Sequence, residues 1–212
     1  MSDFFEARLE EYDNHMLTEI ESADEFYPFT ARQLPPDEDC RILDLGCGTG
    51  LELEEYYKLN PSAIVTGIDI SRGMLNRLKQ KFDNKRITLL NGSYFELPFG
   101  EDEFDAAVSV ESLHHFTKQD KVKLYSKLHK ALKKEGYFIL TDYFSYSDAE
   151  EEMHQKNLLK LKEEQCITGG ELYHYDTPLT PAHETEALRE AGFSSVRVLK
   201  SWGATHTLRA DK

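Results

Sequence analysis

Apolar residues fall along this chain in two alternating rhythms. Nearly continuous short runs at 41–45, 63–70, 86–90, 104–110 and 136–142 suit strands covered on both faces. Between them the spacing turns helical, at 51–57, at a segment N-capped by Ser71 that runs through Leu75, Leu78 and Phe82, and at 120–133. Strands alternating with helices predict an α/β protein: a doubly wound, mostly parallel sheet with helices on both faces and ligands at the strands' carboxyl ends.

The flanks differ. Phe4, Phe5, Leu9, Tyr12, Met16 and Ile20 keep helical spacing ahead of the first strand, with Pro28 breaking the pattern and 34–37 as a connector. After the fifth strand come a charged helix over 149–164, a loop over 169–178 and a helix over 181–191. Two runs at 194–202 and 204–209 around Gly203 close the chain as a hairpin. The expected organisation is a helical lid or cap over 1–34 and a ligand-binding domain over 35–212, with a helical insertion around 146–180.

The first strand breaks into Gly46, Gly48 and Gly50, and the helix that follows points its unpaired N–H groups at this loop, a setting for an anionic ligand group. The second strand ends on Asp69, an acid about 20 residues past the glycine loop, where ribose hydroxyls are bound in dinucleotide folds. Three residues after Gly48 stands Leu51, not the Gly or Ala of a dinucleotide fingerprint, which disfavours a nicotinamide oxidoreductase.

Leu43-Asp44-Leu45-Gly46-Cys47-Gly48-Thr49-Gly50 and Asp69 resemble the first two motifs of class I S-adenosylmethionine-dependent methyltransferases, within them the small-molecule branch of the ubiquinone and menaquinone pathways. The likeness continues through Asn91 to Phe99, Phe104 to Val110 and Leu113 to Phe116, over roughly residues 40 to 145. It implies a Rossmann-like sheet of seven strands with the last antiparallel, S-adenosyl-L-methionine as cofactor, and in-line methyl transfer to a small molecule. Carried over residue by residue, the Gly46, Cys47 and Gly48 backbone meets the cofactor's amino-acid end, Asp69 its ribose, and Asp44 is a further cofactor contact. Ile70, Met74, Ser93, Tyr94 and Val110 line the rest. Ser93 stands where the family usually has an acid. A cofactor-binding sensor without catalysis is the alternative reading.

Acceptor chemistry must sit past strands four and five, and a histidine with a pKa near 6.5 suits proton uptake. His114 is the expected base, Glu111 its catalytic companion, and His115 a packing residue. Glu111 and Asp142 are two acids, too few for a metal site, and no metal is expected. Tyr12, His15, Tyr27 and His174 are the candidate walls for an apolar or planar acceptor.

Composition narrows the partners. With 25 basic against 39 acidic residues the net charge is −14, which repels nucleic acid. The lysines of 118–134 read as a solvated helix face. No run approaches the length of a membrane span, the acidic N-terminus lacks an export pattern, and three cysteines without a CxxC pair give no disulfide framework, so a cytoplasmic protein is expected. Oligomeric state is left open.

Overall fold

The structure, a computed structural model, describes residues 9, 11–165, 167 and 175–212. Seven strands form one sheet: β1 (Arg41–Leu45), β2 (Ile64–Asp69), β3 (Arg86–Asn91), β4 (Phe104–Val110), β5 (Leu132–Tyr143), β6 (Ser195–Trp202) and β7 (Thr205–Asp211), in the order β3-β2-β1-β4-β5-β7-β6. The first five run parallel. β7 pairs antiparallel with both β5 and β6, as the terminal hairpin requires. Chain order reverses between β1 and β4, so the carboxyl ends of these two strands open the crevice where ligands bind in such sheets.

Successive side chains of a strand point to opposite faces, and the core divides accordingly. Ile42, Val65, Ala106, Val108 and Ile139 pack on one side, under α2 (Ala23–Ala31), α3 (Leu51–Leu59) and α4 (Arg72–Lys81). Leu43, Leu45, Ile68, Ala107, Phe138 and Leu140 pack on the other, under α5 (Lys118–Ala131) and α7 (Pro181–Glu190). Helix α6 (Asp148–Glu164) follows β5 and leaves Met153 and Leu159 exposed.

Three elements depart from the periodicity. Pro28 lies inside α2 instead of breaking it. Phe26, Tyr27, Thr30 and Ala31 bury that helix in the core, and packing outweighs one lost hydrogen bond. Helix α5 starts at Lys118, capped by the Thr117 hydroxyl, which accepts from the Asp120 N–H at 3.3 Å. It ends at Ala131, and β5 begins at Leu132, whose buried side chain pairs opposite Phe104 before the register slips to Ala106 and Tyr137.

The lysine-rich face of α5 is not wholly solvated. Lys121 is 2 % exposed and lies 2.5 Å from Glu184, which is fully buried on α7 and also accepts from the Tyr125 hydroxyl. Removing one member of such a pair strands a buried charge, whereas removing both does not. Glu184→Ala is therefore expected to cost about 3–5 kcal/mol in urea unfolding, and Lys121→Met with Glu184→Leu to cost far less. Equal losses would show that the pair is not coupled.

The N-terminal helix α1 (Tyr12–Thr18) rests on the glycine loop and α4. Asp13 accepts from the Thr49 hydroxyl at 2.5 Å and pairs with Lys81 at 2.8 Å, while Arg77 donates to the Leu9 carbonyl at 2.7 Å. Partial burial opposes ionisation of Asp13, yet the hydrogen bonds from Lys81 and Thr49 and the charges of Lys81 and Arg77 hold its carboxyl below the usual value. A depressed pKa makes this anchor strongest above the ordinary carboxylate range, about 4, and weakens it as pH falls through the lowered value. Protection factors over residues 12–18, corrected for the intrinsic pH dependence of amide exchange, should thus fall on acidification while those of α4 hold. Protection indifferent to pH would remove Asp13 as the anchor.

Candidate functional site

The site begins where β1 stops. Gly46 and Cys47 donate to the Ile68 carbonyl at 2.9 and 3.1 Å, which folds the glycine loop over the tip of β2. Gly46 has φ +75°, and a Cβ there would lie 2.0 Å from the Ser112 Oγ, so both conformation and space demand glycine. Asp69 takes hydrogen bonds from the Gly48 N–H at 3.0 Å and the Ser71 N–H at 2.7 Å, one on each carboxylate oxygen. One side chain thereby joins the glycine loop to the start of α4.

Past β3, Gly92 donates to the Asp69 carbonyl at 3.0 Å. The segment carrying Ser93 and Tyr94 is held from below by Lys127, whose ammonium donates to the carbonyls of Tyr94, Phe95 and Leu97. Together these elements enclose a cleft of about 600 Å³, counted to its open mouth. Gly46, Gly48, Asp69, Ile70, Met74, Ser93, Tyr94, Glu111 and Tyr12 all line it. A smaller hollow of about 210 Å³ continues beneath the loop, between Tyr12, Tyr27, Cys47, Glu52 and Val110.

Asp44, 1 % exposed, lies against Glu52. Its carboxyl shares a hydrogen bond with that of buried Glu52, and no donor from another side chain or the backbone reaches either Asp44 oxygen or Glu52 Oε1 among the described residues. Burial raises both carboxyl pKa values, and Glu52's charge raises Asp44 further. The two are thus a buried acidic pair, suited to a cationic group.

The opposite wall follows β4. Glu111 has φ +48°, a left-handed conformation rare outside glycine, and its N–H donates to the Thr141 carbonyl at 2.9 Å. Burial pushes its carboxyl up to about 8, with Asp142's charge adding and His114 opposing. It is therefore largely protonated at neutral pH.

Of the two histidines, His115 lines the cleft, where the sequence favoured His114. His114 is set one layer back, its Nδ1 2.5 Å from Asp142 Oδ1 and its Nε2 3.8 Å from Asp176 Oδ1. Neighbours in a turn face different ways, and residue spacing cannot say which faces in. Burial alone would lower His114's pKa, but Asp142's charge and hydrogen bond, with Glu111 and Asp176, raise it above the ordinary imidazole value. Asp142 also accepts from the Leu113 N–H at 2.8 Å; against the cost of burial, His114, Lys121 and that peptide bond keep its pKa low.

Other expectations meet the structure unevenly. His15 sits on the exposed face of α1, away from both cavities, because Tyr12 and Met16 take the inward positions of that short helix. His174 lies outside the described residues. Ser112, Phe116, Glu52 and Asp176 were missed: Glu52 reads as an ordinary acid in a helix's first turn, and Asp176 reaches the site only because Thr177 N–H donates to the His114 carbonyl at 2.7 Å.

Comparison with known proteins agrees with this geometry. The family described as a methyltransferase domain matches residues 42–136. The bifunctional biotin biosynthesis protein BioHC of Teredinibacter turnerae is 35% identical over 109 residues, 47% of this chain and 19% of that protein. Cycloartenol-C-24-methyltransferase of Arabidopsis thaliana is 32% identical over 179 residues, 79% of this chain and 48% of that enzyme. The chain thus spans less than half the length of either relative. Human N-acetylserotonin methyltransferase, solved in complex with SAM, shares the fold with a TM-score of 0.65 at 19% identity, over 90% of this chain and 52% of that one. Residues 42–136 thus match a methyltransferase domain, and the chain shares the fold of S-adenosylmethionine-dependent methyltransferases.

Proposed function

We propose that this chain transfers the methyl group of S-adenosylmethionine to a small-molecule acceptor. The observation that carries the reading is the buried acid pair of Asp44 and Glu52, which no basic side chain among the described residues neutralises, beside a glycine loop, Asp69 and an apolar wall. That sequence of acid, loop, acid and apolar surface matches an ammonium, a carboxylate, a ribose and a flat base. Asp44, Glu52 and the loop backbone would hold the amino-acid end, Asp69 the ribose, and Ile70, Met74, Ser93 and Tyr94 the adenine. When bound, the cofactor supplies an electrophilic methyl group on a sulfonium.

The protein's own part is to orient the acceptor, exclude water and take up a proton. Asp142 fixes His114 with its proton on Nδ1, leaving Nε2 as the basic nitrogen. Protonated Glu111 can donate a hydrogen bond to the acceptor from the cleft wall. Tyr12 borders both cavities and Tyr27 the smaller one, and α1, tied down through Asp13, serves as the closing element. Helix α2 is core, which restricts the lid to the residues before it. The acceptor is not nucleic acid, because a net charge of −14 repels polyanions. We place the reaction in the cytoplasm; no helix among the described residues is long and apolar enough to cross a membrane.

Two measurements test the reading. Asp69→Ala removes the acceptor of the ribose hydroxyls and unties the glycine loop, and should weaken S-adenosylhomocysteine binding by about 1.5–3 kcal/mol in calorimetry. Unchanged affinity would sink the cofactor assignment. In extracts supplied with methyl-labelled cofactor, label should pass to a small-molecule fraction. His114→Gln should cut that rate roughly 10²–10⁴-fold while leaving S-adenosylhomocysteine affinity intact. A full-rate variant would free His114 of its role, and tight cofactor binding without any labelled product would favour a sensor.

A further inference from the structure

We infer that His114, His115 and Asp176 form a binding site for a first-row divalent cation at the acceptor end of the cleft. One ligand atom from each residue lies within 4.8 Å of the other two. His115 Nδ1 is 2.8 Å from Asp176 Oδ1, and His114 Nε2 is 3.8 Å from the same oxygen. Separations of this size are closed by small side-chain rotations onto a common ion about 2.0–2.2 Å from each ligand. The two imidazoles already converge, with ring centroids 4.0 Å apart and planes at 64°.

The support around these ligands is that of a metal site. Histidine ligands characteristically donate their second ring N–H to a carboxylate, which fixes the tautomer and aims the other nitrogen at the ion. Asp142 does this for His114 from a position 1 % exposed, and is itself held by the N–H groups of Leu113 and Tyr143 at 2.8 and 3.0 Å. Asp176 is delivered by the neighbouring peptide link from Thr177 to the His114 carbonyl. Charge points the same way: Asp142 and Asp176 flank two histidines, and their ion pairs among the described residues are with histidine alone. An entry path exists, since Asp176's side chain is 44% exposed and borders an open hollow with Tyr143, His154 and Tyr175.

Two imidazoles and one carboxylate suit zinc, manganese, iron or cobalt better than magnesium or calcium, which prefer oxygen. Three protein ligands leave positions open to water or to an oxygen of the acceptor, so the site favours acceptors bearing a hydroxyl or carboxylate beside the reacting atom. With the ion in place Nε2 of His114 is a ligand, and its part in proton uptake belongs to the metal-free protein. The site departs from the sequence expectation of no metal, and its binding does not depend on methyl transfer.

The test is titration of the chelator-stripped full chain with Co²⁺, without cofactor or acceptor. A saturable visible d–d absorption at one equivalent, abolished by Zn²⁺ in competition, is expected. His115→Ala and Asp176→Asn should each weaken Co²⁺ binding by at least tenfold, and Asp142→Asn, which touches no ligand atom, by 10–100-fold. His183→Ala, remote from the cage, should bind as the parent does. Circular dichroism of every variant reports that each remains folded, and S-adenosylhomocysteine affinity tests the cofactor reading separately. Absence of a saturable spectrum, or one that survives His115→Ala combined with Asp176→Asn, overturns the site.

Discussion

The site depends first on one carboxylate. Asp69 ends β2 and spends its two oxygens on the Gly48 and Ser71 N–H groups, so the glycine loop and the start of α4 are positioned by the same side chain. Charge-assisted bonds from peptide N–H groups are strong and directional, and here they act between segments whose own chain connections leave them free to splay. Ile68's carbonyl, one residue before, takes the loop's first two N–H groups. The cleft therefore inherits its shape from the tip of one parallel strand, and the apolar wall of Ile70 and Met74 follows from where α4 is made to begin.

Much of this could be read from residue order, for a physical reason. Strands buried on both faces need unbroken apolar runs, and β4 lies where its run predicted, from Phe104 to Val110. Gly46 announced itself because no other residue fits a left-handed turn against Ser112. These signals are local: the constraint and the residue that satisfies it are neighbours in the chain or repeat with a strand's period.

What stayed hidden is set by contacts distant in sequence. Pro28 fits a helix only because α2 is clamped in the core, with Thr30's hydroxyl 2.5 Å from that of Thr141. Lys121 looked like one cation of a solvated stripe until α7 brought Glu184 against it. The assignment of inward and rearward positions to His115 and His114 required Asp142, and Asp176 joined them only through a bond from a loop some 60 residues on. Chemistry in this chain gathers where such distant pieces meet, beyond the range of any periodic pattern.

Glu111 carries a consequence for anyone reshaping this protein. Its left-handed backbone costs about 1–3 kcal/mol, a cost that glycine at the same position would largely avoid. Laboratory selection for thermal tolerance alone would thus be drawn to residue 111 and would discard the buried carboxyl facing the cleft. Heat resistance and turnover pull in opposite directions at this residue, so directed evolution here must score both together.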